Sequence, residues 1–162
     1  MRYRSTSRQA PLTSLRGAVL RGLAPDGGLY MPVEIARHSA EELEEFRKLP
    51  FTEVCFRVVK PFATPDVPEE VLWRIVSEAI NFPVKLVSLS PGLHILELFH
   101  GPTLAFKDFG ARFMARLMGY FVRGESRPLT VLVATSGDTG SAVAQGFLRV
   151  PGIRVVILYP SK

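Results

Sequence analysis

A single cysteine, Cys55, leaves this chain unable to close an internal disulfide, so nothing covalent argues for an oxidising compartment. Cys55 falls in the helical pattern Phe51, Val54, Cys55, Val58, Val59, where a buried, inert thiol is expected. The three histidines, His38, His94 and His100, show no ligand spacing with it, so no metal site is expected. No apolar run is long enough for a signal-peptide core or a membrane span. Acid is missing from the first 25 residues, which carry five arginines and superficially resemble an organelle transit peptide. Also missing are runs of basic residues interleaved with aromatics. The net charge of +5 is dispersed, which speaks against nucleic acid and membrane partners and leaves a mild bias towards anionic substrates.

With 162 residues and 47% hydrophobic content, the chain can bury one average core or two small ones. Residues 1–82 read as a small, mainly helical domain without visible chemistry. Thr13 and Ser14 start a helix with Leu15, Ala18, Val19 and Leu20 inward, and it stops near Gly22. Pro25 to Gly28 form a turn before a brief strand at Leu29–Met31. Ser39 and Glu42 make a capping box for a helix through Lys48, and Thr52 caps the next. Asp66 and Pro68 open a further helix whose inner face is Val71, Leu72, Ile75, Val76 and Ala79; Trp73 on it is a packing residue.

From residue 83 to 162 the texture changes to α/β. Strands at Val84–Leu89 and Leu93–Phe99 are followed by helix, strand, helix and a last strand at Arg154–Tyr159, a βαβαβ series expected to form a parallel sheet covered by helices on both faces. The sequence stops three residues after that strand, which would leave it uncovered, so an incomplete sheet is expected.

Two turns of this region carry the chemistry. Leu93–Phe99, punctuated by Pro91-Gly92 and Gly101-Pro102, leads into Lys107, after which Phe109, Phe113, Leu117 and Tyr120 form one apolar helical stripe. Lys107 would begin that helix, where burial and the helix dipole both disfavour its charge and a neutral amine would attack aldehydes. The plain alternative is a solvated surface lysine. The second turn, Thr135 to Ser141, is glycine-rich and joins the β-branched run Leu129–Ala134 to a helix carrying Ala142, Val143, Gly146 and Phe147. It is either an anion-binding helix N-terminus or an ordinary loop capped by Asp138 or Thr139.

The stretches ELFHGPTLAFKDFG at 97–110 and ATSGDTGSA at 134–142, with Tyr3–Thr6 and Gly22–Pro32, closely resemble threonine synthase, a pyridoxal phosphate enzyme of the tryptophan-synthase-like fold. The resemblance covers essentially the whole chain, and Tyr3–Thr6 matching its folded start argues against a transit peptide. It implies a cytoplasmic α/β enzyme of PLP fold type II, here an N-terminal or truncated portion inactive alone, since the family continues with a second glycine-rich loop that cradles the cofactor phosphate. By resemblance, Lys107 forms the Schiff base and shuttles protons. Asp138 lies beside the cofactor's phenolic oxygen, and Ser136, Thr139 and the Gly137 and Gly140 amides take the substrate carboxylate. Many relatives outside this branch have asparagine where this chain has Asp138. Thr103 and His100 are substrate contacts, whereas Asp108 is equally a helix-start acid. The implied reaction turns O-phospho-L-homoserine, a phosphorylated amino acid, and water into L-threonine and phosphate. A threonine synthase-like phospho-lyase yielding a keto acid and a non-catalytic interaction module are the alternatives.

Overall fold

The N-terminal unit, Met1–Glu78, is organised by a short antiparallel pair in a computed structural model that describes residues 1–160. Strand β1 (Tyr3–Ser5) is followed by helix α1 (Leu15–Arg21) and strand β2 (Tyr30–Pro32), with Tyr3 opposite Pro32 and Ser5 opposite Tyr30. A turn carboxylate locks this arrangement. Asp26 accepts hydrogen bonds from Ser5 Oγ at 2.6 Å and from the backbone N–H groups of Gln9, Ala10 and Gly28. Helix α1 is capped by Ser14, whose side chain accepts from Gly17 N–H, and by Asp66, which accepts from the N–H groups of Leu15 and Arg16. Asp66, expected to open its own helix, lies in the turn before α4 and caps the distant start of α1 instead. The Tyr3 hydroxyl donates to Phe62 O at 2.7 Å, and burial together with the nearby Asp66 charge pushes its pKa up to about 12.

Three helices complete the unit. Helix α2 (Ala40–Phe46) has the expected capping box between Ser39 and Glu42, while α3 (Phe51–Ala63) starts at Pro50 rather than at Thr52. Proline suits that position, because its missing N–H would lack a helical partner anyway. Helix α4 (Glu69–Ala79) buries Leu72, Ile75, Val76 and Ala79, and Trp73 packs edge-on against Phe56 at 5.4 Å. Cys55 is half-buried, and that burial raises its thiol pKa.

The second unit, from Ala79 onward, departs from the expected βαβαβ series. Strands β3 (Lys85–Ser90) and β4 (Leu93–Glu97) form an antiparallel hairpin across Pro91-Gly92, with Gly92 at φ +77°. A two-residue turn cannot reverse the chain twice, so these neighbours cannot be parallel. The run expected as a buried strand is exposed, with Leu93 at 55% and Leu96 at 56%. Helix α5 (Lys107–Phe121) precedes strand β5 (Leu129–Ala134), helix α6 (Asp138–Phe147) and strand β6 (Ile153–Leu158). Strands β5 and β6 pair in parallel, in register from Leu129–Ile153 to Ala134–Leu158, so one βαβ unit closes among the described residues. Alternating burial along both strands shows one covered and one open face.

Helix α5 packs on α6, where a Cβ on Gly146 would come within 3.0 Å of the Ala111 backbone. Helix α5 buries Asp108, Ala111, Arg112, Ala115, Leu117, Met118 and Phe121. Of the expected stripe Phe109, Phe113, Leu117 and Tyr120, only Leu117 is fully buried, because contact this close to α6 selects alanine over large rings.

The hydrogen bonds around Asp26, led by that from Ser5, depress its carboxyl from 3.8 to about 2. A depressed folded value means its contribution is whole above 3.8 and disappears as pH falls through about 2. Asp26→Asn should therefore flatten the acid limb of melting temperature against pH, followed by circular dichroism. An unchanged limb would show that other carboxylates govern acid unfolding.

Candidate active site

The loop from His100 to Phe106 delivers Lys107 as the first residue of α5, as the sequence suggested. Lys107 is half-buried, and its Nζ sits 4.4 Å from the centroid of the Phe106 ring, with no hydrogen bond or ion pair to any described residue. Asp108, wholly buried, faces back into the loop: Oδ2 accepts from Thr103 N–H at 2.8 Å and Oδ1 from Thr103 Oγ1 at 2.7 Å. Gly101 lies against the same carboxylate, where a Cβ would stand 2.8 Å from Asp108 Cβ. His100 Nε2 hydrogen-bonds to Glu97 Oε2 at 2.7 Å, beside Phe99.

The second loop crosses from β5 to α6. Thr135 N–H donates to Leu158 O, and Thr135 Oγ1 accepts from Gly137 N–H at 3.2 Å. Asp138 is the first helical residue and Gly137 precedes it, with no side-chain cap, so the expectation of Asp138 or Thr139 as cap is not met. Gly140 N–H donates back to Gly137 O at 3.0 Å, and no side chain caps the other first-turn N–H groups of α6 at this exposed end. Ser136, Gly137, Asp138 and Thr139 are exposed, whereas Gly140 is buried, with Thr135 Cγ2 2.6 Å and Tyr159 Oη 3.3 Å from where a Cβ would stand.

The structure thus gathers His100, Thr103 and Lys107 in one loop and Ser136 to Gly140 in the other. No hydrogen bond or ion pair joins the two among the described residues. What relates them is α5 against α6. Ala111 meets Gly146 and Gly119 meets Val150, so the helices run in the same sense and begin at the same end. This donor set fits an aldehyde cofactor and an anion: a primary amine without a salt-bridge partner, and an uncapped helix start with no atom within 4 Å of where a Gly137 Cβ would stand.

Sequence reasoning missed the residue that joins these helices. Arg112 is 6% exposed, and its Nε, Nη2 and Nη1 donate to Ala79 O, Asn81 Oδ1 and Gln145 Oε1 at 2.8, 2.8 and 3.2 Å. Burial, and then repulsion from Arg116, lower its pKa, while Asp108 one turn earlier opposes this. The guanidinium also lies over Phe82, which packs edge-on against Phe109. Its only signal in sequence is an arginine among alanines on a helix.

Elsewhere, a cavity of about 560 Å³ in the N-terminal unit is lined by His38, Phe46, Arg57 and Lys60. Two of its cations are already paired, Arg57 with Glu53 and Glu45 and Lys60 with Glu69, while Arg37 at its edge is exposed. Among the described residues no cluster of His, Cys, Asp or Glu is arranged to hold a metal ion, and no helix is long and apolar enough to cross a membrane.

A parallel strand pair with two helices that start at one end defines the class: a mixed α/β chain. Comparison with known proteins gives the family. Residues 2–80 match the family model described as threonine synthase N terminus. The threonine synthase of Escherichia coli (strain K12) is 43% identical over 147 residues, covering 91% of this chain and 34% of that protein. That of Pseudomonas aeruginosa is 38% identical over 165 residues, covering 99% and 35%. Among solved structures, the PLP-bound threonine synthase from Brucella melitensis superposes with a TM-score of 0.94 at 38% identity, over 99% of this chain and 36% of that one. The E. coli enzyme superposes with a TM-score of 0.90 at 39% identity, over 99% and 37%. The chain corresponds to the N-terminal region of the threonine synthase family and spans about a third of the length of these relatives.

Arg112→Met keeps much of the apolar stem and removes the guanidinium, leaving Ala79 O, Asn81 and Gln145 without these donors. A loss of about 2–4 kcal/mol is expected in urea unfolding. A loss below about 0.5 kcal/mol would mean that water replaces Arg112 there.

Proposed function

We propose that this chain supplies the amine and the substrate-carboxylate loop of a threonine synthase acting on O-phospho-L-homoserine, and that on its own it does not turn over. The observation that carries this reading is Lys107 at the start of α5, half-buried and without an ion-pair partner, on a helix packed in the same sense as α6 with its uncapped end. Pyridoxal phosphate, when bound, supplies the electron sink that makes the substrate's α and β protons removable.

The residues divide the remaining work. Lys107 holds the cofactor and, once displaced by substrate, moves protons at the substrate's α and β carbons. Ser136, Thr139 and the remaining first-turn N–H groups of α6 hold the substrate carboxylate at the positive end of the helix dipole, whereas the Gly137 and Gly140 N–H groups expected there already donate to Thr135 Oγ1 and Gly137 O and would have to be released to join them. Asp138 would stand beside the cofactor's phenolic oxygen. His100 and Thr103 flank the amine. Since Thr103 gives its hydroxyl proton to Asp108, it meets substrate only as an acceptor.

The test is a protein in which this chain is continued by the remaining segment of a threonine synthase relative. Given O-phospho-L-homoserine and pyridoxal phosphate, it should release threonine and phosphate in equal amounts, and Lys107→Ala should lower that rate by about 10³-fold or more. A keto acid in place of threonine would assign the phospho-lyase reaction. Full activity of the Lys107→Ala protein would remove the lysine from its role.

A further inference from the structure

The loop before Lys107 contains a backbone oddity that its exposed residues do not explain. Leu104 adopts φ +58°, a left-handed conformation that branched and bulky residues avoid, and its side chain is 75% exposed, so no burial of its own compensates. Strain of this kind persists where neighbouring contacts over-determine the backbone. Those contacts converge on one carboxylate. Asp108 receives both Thr103 hydrogen bonds, its own N–H donates to Ala105 O, and Gly101 is pressed against its side chain. Leu104 N–H closes the turn onto Gly101 O at 3.1 Å. A wholly buried carboxylate would be costly without donors, so the turn and Asp108 stabilise each other.

We propose that Asp108 is a positioning residue: through Thr103 it pins the strained turn 101–106 onto the first turn of α5 and so fixes where Lys107 leaves the loop. The role assigned to Lys107 above is assumed, and Asp108 itself touches neither substrate nor cofactor. The work is done by hydrogen bonds rather than by negative charge at a helix start. An asparagine can replace it, since its carbonyl accepts from Thr103 N–H and its NH₂ donates to Thr103 Oγ1.

In the continued protein of the preceding test, the parent, Asp108→Ala, Asp108→Asn and Thr103→Val are compared by amide hydrogen exchange and by borohydride trapping of pyridoxal phosphate, mapped lysine by lysine. Asp108→Ala should speed exchange at residues 103–106 about tenfold or more with β5 and β6 unchanged, and lower trapping at Lys107 about tenfold relative to Lys48 and Lys85. Asp108→Asn should stay within about threefold of the parent in both, and Thr103→Val should fall between. Unchanged loop exchange in both Asp108→Ala and Thr103→Val overturns the proposal. So does an asparagine variant as disturbed as the alanine one, which would assign the effect to charge. If Asp108→Ala loses protection throughout, Thr103→Val decides: a loop opened alone supports the clamp, and an undisturbed loop refutes it. A parent that traps no more cofactor at Lys107 than at its other lysines defeats the lysine's role, and the exchange measurement still judges the clamp.

Discussion

The guanidinium of Arg112 is the constraint on which the second unit depends. Buried on the face of α5 that meets α6, it has to find hydrogen-bond acceptors, and those it finds lie on separate stretches: Ala79 and Asn81 leading out of α4, and Gln145 in α6. A buried cation so held is directional in a way that apolar contact is not. Apolar residues such as Leu117, Met118, Val143 and Phe147 contribute about 2 kcal/mol each by burial but tolerate sliding. Arg112 fixes the rotation of α5 about its axis. Fixing that rotation also fixes Asp108, one turn earlier on the same face, and with it the exit of Lys107.

This geometry gives two polar residues on one buried face different work. Arg112 faces α6 and the segment behind it, whereas Asp108 faces the preceding loop. Their mutual attraction, one helical turn apart, partly offsets what burial does to the arginine. Neither residue needs substrate to account for its place. The chemistry assigned to Lys107 therefore rests on a scaffold that the chain builds from its own oxygens and nitrogens.

Much of this was legible in sequence, and where it was not the reason is range. Ser14, the Ser39–Glu42 box and the Leu129–Ala134 strand are read correctly because each is decided within a few residues. Both loops are legible because glycine and proline punctuate them. Large apolar side chains are a poor marker of the buried α5 face, because Gly146 forces a close approach that suits Ala111 and leaves Phe113 partly exposed. Arg112 was invisible because its partners lie 31 to 33 residues away. Strand β4 was misread for a related reason: a short apolar run looks the same whether two faces are covered or none, and the covering elements are written elsewhere. The hairpin was decided locally, by Pro91-Gly92, and that signal deserved more weight than apolarity.

The start of α6 shows how one feature can support binding and oppose it. With no side chain capping the helix, and with the Gly137 and Gly140 N–H groups taken by Thr135 Oγ1 and Gly137 O, the other first-turn amides and the dipole favour an anion. Asp138 stands at the first helical position, exposed, and is attracted by the same dipole. Two negative charges at one helix end repel, and in exposed surroundings water and salt screen the repulsion to a small cost. An anion held here with less water around it would meet a stronger repulsion, so a hydrogen-bond donor to the carboxylate would then be needed. Gly140, packed under Thr135 and Tyr159, is held too closely for the loop to swing Asp138 aside by moving its backbone there.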